Sequence, residues 1–61
     1  MVFLNCIAEG ALCDLQYNET SKRISPGDKV IYIAHLPGGN VKIKKDDCQF
    51  IAHPDCFAEL R

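Results

Sequence analysis

Apolar and polar positions alternate most clearly in the middle of the chain. Lys29-Val-Ile-Tyr-Ile-Ala-His-Leu36 is dense in β-branched and aromatic residues and predicts a strand. Val30, Tyr32, Ala34 and Leu36 fall on one face, and Ile31, Ile33 and His35 on the other. Both faces are largely apolar, as expected of a central strand or one covered on both sides. Val41-Lys-Ile-Lys-Lys45 alternates with period two, which places Val41 and Ile43 inward and Lys42 and Lys44 outward. Pro37-Gly-Gly-Asn40 supplies the turn that joins the two strands into a hairpin. Ser25-Pro-Gly-Asp28 predicts a type II turn before it, with Pro fixing φ and Gly accepting positive φ. Asp46-Asp47 breaks away from the hairpin, and Gln49-Phe-Ile-Ala52 reads as a third extended piece. Pro54 suits the first turn of a helix, and Asp55 and Glu59 favour one, so a short C-terminal helix is expected at about Pro54 to Leu60. The first third, through Ser21, reads as irregular. Gly10 sits between Cys6 and Cys13 as in a loop, and it argues against a helix over Ala8 to Leu15.

Composition then raises the question of stability. The chain has 61 residues, 48% of them hydrophobic, which fits one small globular domain over residues 1–61. Ordering such a chain costs about 90 kcal/mol at ~1.5 kcal/mol per residue. There is no Trp, and the aromatics are Phe3, Tyr17, Tyr32, Phe50 and Phe57. A cross-link is therefore expected, and its candidates are Cys6, Cys13, Cys48 and Cys56 with His35 and His53. Two disulfides in one of three connectivities would suit a secreted chain. Met1-Val-Phe-Leu-Asn-Cys-Ile-Ala lacks the basic and long apolar regions of a secretory signal, and no apolar run approaches the ~20 residues of a membrane span. The expectation is a soluble intracellular chain in which a metal takes the place of disulfides.

The segment Phe50-Ile-Ala-His53-Pro-Asp-Cys56-Phe57-Ala-Glu-Leu60 carries the most specific chemistry. His53 and Cys56 lie three residues apart at a helix start, where both could face one ion. This segment resembles the His-x-x-Cys-Phe ending of treble-clef zinc fingers of the LIM and PARP types, and Ile24-Ser-Pro-Gly-Asp-Lys-Val30 resembles the turn that opens the PARP-type hairpin. The resemblance implies a small zinc-stabilised α+β fold made of an irregular cysteine loop, a β-hairpin and a short C-terminal helix. It also implies a structural Zn2+ held by Cys6, Cys13, His53 and Cys56. The first pair departs from the family's Cys-x-x-Cys, since six residues separate Cys6 from Cys13. Sets in which Cys48 replaces Cys6 or Cys13, or in which His35 takes part, stay open. A four-ligand site leaves no open position for water, so its role would be structural. At roughly 10–16 kcal/mol such a zinc would match a whole domain's stability, and the metal-free chain is expected to be unfolded or molten.

Catalysis is not expected. There is no glycine-rich phosphate loop, because Gly38-Gly39 lacks a following Lys-Ser/Thr. The deaminase pattern is also missing. Charge is segregated instead: residues 1–21 carry three acids, residues 22–45 carry six bases against Asp28, and residues 46–61 carry four acids against Arg61. The central hairpin is thus basic between acidic ends. Lys29, Lys42, Lys44 and Lys45 are the candidate contact residues, facing a protein partner in the preferred reading or nucleic-acid phosphates in the alternative. Chains this small also resemble the accessory proteins of viruses and phages that modulate a larger enzyme. In either case the expected role is that of a small regulatory binding module.

Overall fold

In the computed structural model, which describes residues 1–60, six antiparallel strands account for most of the chain. They are β1 (Val2–Asn5), β2 (Gly10–Asp14), β3 (Glu19–Ile24), β4 (Lys29–His35), β5 (Val41–Lys45) and β6 (Cys48–Ala52), followed by 3-10 turns at Pro54–Cys56 and Ala58–Leu60. The strands form one sheet in the order β1-β4-β5-β6-β2-β3. Arg61 lies outside the described residues.

The order of the strands dictates the shape. β1 and β2 are consecutive in the chain but separated in the sheet by β4, β5 and β6. In a flat sheet they would stand four strand spacings apart, about 19 Å. Only Cys6–Glu9 connects them, and the five Cα steps from Asn5 to Gly10 reach at most about 17 Å when fully extended. The sheet must therefore curl until β1 approaches β2. Leu4, Leu12, Ile24, Val30, Val41, Ile43, Phe50 and Ala52 fill its concave side and are all buried.

Turn chemistry sets the registers. Gly27 takes φ 97° in the Ser25–Asp28 turn, whose ends are joined by Asp28 N–H donating to Ser25 O at 3.1 Å. The Asp28 carboxylate returns a bond from Ser25 N at 2.9 Å. Asp46 and Asp47 do not break away from the hairpin. They are the two positive-φ residues (52° and 64°) of a tight turn between Lys45 and Cys48, which are themselves paired. This is the backbone of a type I′ hairpin turn, which Asp tolerates but Gly prefers. Between β2 and β3, the buried Asp14 carboxylate accepts from Gln16 N at 2.7 Å and Tyr17 N at 3.2 Å. It thereby anchors that loop from inside the core.

The treble-clef-like α+β expectation is overturned. The first third is not an irregular cysteine loop: Leu12 and Asp14 of β2 face the core and Ala11 and Cys13 face away, while β3 forms a polar edge. Lys22 of β3 lies across from Leu12 on the core side, with its ammonium 5.8 Å from the Phe50 ring centroid. An inward cation of this kind protects an edge strand from pairing with other chains. The C-terminal helix is likewise replaced by two 3-10 turns with Phe57 between them in an extended conformation (φ −120°, ψ 133°). Seven residues are too few for a helix to persist on propensity alone. Extension lets Phe57 bridge to Cys6 and bury its ring completely.

The sequence alternation places β5 correctly and β4 nearly so. A bulge between Tyr32 and Ala34 exchanges the faces of β4 beyond it, so that Ala34 pairs with outward Lys42 and His35 with buried Val41.

The strained Asp46-Asp47 turn gives a direct prediction. Asp47→Gly removes the left-handed penalty at one L-residue and should raise stability by about 0.5–1 kcal/mol in urea unfolding. A loss of stability would contradict the turn assignment.

Candidate functional site

The residues proposed as zinc ligands do not converge. Cys6 ends the β1 extension, buried, its thiol donating to Ala8 O at 2.9 Å. Cys56 is also buried, its sulfur 3.9 Å from Glu9 O. Cys13 lies on the convex side of β2, beside Ile51 of β6. Cys48 opens β6 opposite Lys45. His53 is exposed, and its Nδ1 accepts from Asp55 N at 3.2 Å as the cap of the first 3-10 turn. His35 lies near the turn end of β4, paired with Val41, with its Nδ1 2.8 Å from Tyr32 Oη.

Among the described residues no three His, Cys, Asp or Glu side chains gather where they could hold a metal ion. The Zn2+ set of Cys6, Cys13, His53 and Cys56, and the variants with Cys48 or His35, are corrected on that ground. So are the zinc-finger resemblance and the zinc-binding module built on it. The physical reason is local. His53 lies outside the 3-10 turn as its extended cap (φ −78°, ψ 134°), so it is not in helical register with Cys56. Its ring caps the turn's own backbone while Cys56 turns into the core.

The segments that carry Cys56 and Cys6 nevertheless meet. The backbone bridges Cys6 to Phe57, and Ile7 N donates to Cys56 O at 2.7 Å. Burial pushes the Cys56 thiol above its ordinary pKa, and the nearby Cys6 and Asp55 charges add to the effect. Gly10 is required beside them, because a Cβ at that position would stand 2.5 Å from the Cys56 sulfur. The strap is also held by its acid. Asn5 donates to Glu59 through its backbone N–H at 2.8 Å and its side-chain amide at 2.6 Å. The Asn5 backbone bond is the main reason the Glu59 carboxyl lies below its usual range, with its own N–H and Lys29 assisting. The Ser25 N–H does the same for Asp28, assisted by Lys45. Both carboxylates thus favour the folded state above the ordinary carboxylate pKa, and that contribution is lost as pH falls through their lowered values.

The convex face of the sheet is the feature that faces solvent with a distinct chemistry. Register places Phe3, Ile31, Lys44 and Gln49 in one row across β1, β4, β5 and β6, and Ala34, Lys42, Ile51 and Cys13 in the next across β4, β5, β6 and β2. Asn5 and Lys29 form a third row at the lower edge. None of these ten residues is acidic. Phe3 is 50% exposed and Ile33, at the bulge, 37%. Lys29 stands 5.9 Å over the Phe3 ring. Among the described residues Lys29, Lys42 and Lys44 take part in no ion pair. Lys45, grouped with them in the sequence, points to the opposite face and pairs with Asp28 at 3.6 Å. The apolar members of this face are legible only as the off-parity partners of buried residues, Phe3 beside Leu4 and Ile51 between Phe50 and Ala52.

Compared with protein-family models, curated proteins and solved structures, the chain finds no match. No helix of the described residues is long and apolar enough to cross a membrane.

Metal removal checks the corrected site. Thermal unfolding in excess chelator, and again with added zinc, should give the same midpoint within about 2 °C. A zinc of structural strength would shift it by tens of degrees, and such a shift would reinstate the metal.

Proposed function

We propose that the chain is a non-catalytic, single-domain binding module that docks an acidic, partly apolar protein surface on the convex face of β1, β4, β5 and β6. The observation that carries this reading is the interleaving of Lys29, Lys42 and Lys44, none in an ion pair among the described residues, with Phe3, Ile31, Ile33 and Ile51. Apolar side chains between cations offer a contact patch with charge to steer a partner of opposite sign. A rigid sheet adds the advantage that little ordering is needed on binding. Three of the four apolar residues are aliphatic, a composition suited to protein contact rather than to stacking of bases. The nearly neutral whole, with a net charge of −1, supports the same preference. An intracellular setting belongs to this proposal, supported by four cysteines that stand as free thiols in the fold.

Chemical-shift titration of the 15N-labelled protein tests it with two probes, a Glu/Asp-rich peptide carrying Leu and Phe anchors and a single-stranded oligothymidine. The peptide should perturb Phe3, Ile31, Lys42, Lys44 and Ile51, and the double change Lys42→Glu, Lys44→Glu should weaken it about tenfold or more. Peptide shifts confined to β3, Glu19–Ile24, would overturn the site. Oligonucleotide binding that weakens steeply with salt, with none by the peptide, would overturn the partner class in favour of phosphate contacts.

A further inference from the structure

The sheet has two edge strands, β1 and β3, and they are guarded unequally. β3 is exposed and polar from Glu19 to Arg23 and sets Lys22 on the core side, which keeps an edge from pairing with another chain. β1 carries no charged side chain, and its Val2 and Phe3 are 59% and 50% exposed. Register tells which backbone groups of β1 are free. Cys6 N–H donates to Asp28 O at 2.8 Å, on the β4 side, while Asn5 N–H donates the other way, to Glu59. Antiparallel pairs alternate between residues that exchange hydrogen bonds and residues that do not. Leu4 and Val2 therefore bond to Val30 and Tyr32 of β4, and Phe3, like Asn5, directs its N–H and C=O outward. Among the described residues no backbone group of the connectors or of the C-terminal strap reaches Phe3. The Asn5 end of this edge already holds an acid: the Glu59 carboxylate accepts from the Asn5 backbone and side chain at 2.8 and 2.6 Å, with the Lys29 charge assisting. The Lys29 ammonium also stands 5.9 Å over the Phe3 ring, where the edge is open.

We propose that the partner engages β1 by strand addition: an extended segment of alternating acidic and apolar residues pairs antiparallel with the outer edge of β1, an acidic residue opposite Phe3. This rests on the docking reading above and specifies how the acidic, partly apolar partner is held. Each feature of the segment follows from β1. Phe3 faces the convex side, so the residue opposite it does too, with its Cβ about 4.5–5.5 Å from that of Phe3. A carboxylate there meets the Lys29 ammonium above the ring. The next residue falls on the concave side opposite Val2, where an apolar side chain covers surface that the fold leaves open. The residue opposite Phe3 also exchanges both backbone hydrogen bonds with it. Main-chain bonds then supply affinity and the alternate side chains supply selectivity. Glu59 occupies the Asn5 end, so the added strand runs along Leu4 toward Met1. A second copy of β1 is the poorer occupant, because Val2–Asn5 offers no acid to Lys29.

The test leaves the chain unaltered and changes the peptide. The 15N-labelled protein is titrated with a Glu-Val repeat peptide, with the same peptide N-methylated at its glutamates, and with one N-methylated at its valines. The unmodified peptide should slow hydrogen exchange of the Phe3 amide about tenfold or more, and that of Leu4, already bonded to β4, far less. Methylation at the glutamates removes the N–H groups that face β1 and should weaken binding about tenfold or more, whereas methylation at the valines should keep it within about threefold. Shifts at Lys42, Lys44 and Ile51 with no slowing at Phe3, and equal tolerance of both methylations, would overturn strand addition while leaving the docking face in place. Absence of any shift on the convex face and on β1 would overturn both. A free chain that already dimerises with its Phe3 amide protected would overturn the proposal in favour of a second copy.

Discussion

The structure rests on a constraint of length. A connector of only Cys6–Glu9 must carry the chain from β1 to β2, across the positions occupied by three other strands. A flat sheet cannot satisfy it, and a curled sheet can. Curling has a second consequence: it gathers the apolar face of every strand around one interior without any helix to cover it. What remains open is the end of the interior beside the Cys6–Glu9 connector, and the C-terminal strap lies against it, with Phe57 bridged to Cys6 and Cys56 beside Gly10. Phe57 enters the interior with 0% exposure, Cys56 lies against Gly10, and Glu59 is held by Asn5.

This arrangement accounts for the sulfur-rich sequence without a metal. Cys6 and Cys56 act as small apolar residues at a crowded junction, a role common for buried cysteine. Gly10 is fixed by the same crowding. The interior needs no external staple because connector and strap bring the two ends of the chain into one contact. That contact leaves the outer face of β1, β4, β5 and β6 free to carry cations and isoleucines that the interior does not use.

Much of the centre of the fold is legible in the sequence, and its ends are not. Val41–Lys45 announces both its strand and its faces because its alternation is strict. Ser25–Asp28 announces its turn because Pro and Gly leave few alternatives. β3 is hidden because an edge strand with only Ile24 buried shows no apolar period. β2 is hidden because its inward position 14 is an aspartate whose partners are backbone N–H groups of the next loop. The Pro54–Leu60 segment misleads for a physical reason: its Pro, acids and apolar spacing satisfy the rules of a helix start, while tertiary burial of Phe57 demands an extended residue in the middle. The candidate surface is half legible. Lys42 and Lys44 follow from alternation, whereas the separation of Lys45 from them, and the company of Phe3 and Ile51, depend on strand order that no local pattern reveals.

The central claim is that closure of the interior by Phe57, rather than a bound ion, completes this fold. Equilibrium urea unfolding of Phe57→Ala tests it most directly. Removing a fully buried ring costs about 3–5 kcal/mol, a large share of a small domain's stability. The expected result is a chain that is largely unfolded in water and has lost its cooperative transition. A Phe57→Ala protein that keeps a sharp transition within about 1 kcal/mol of the natural chain would contradict it.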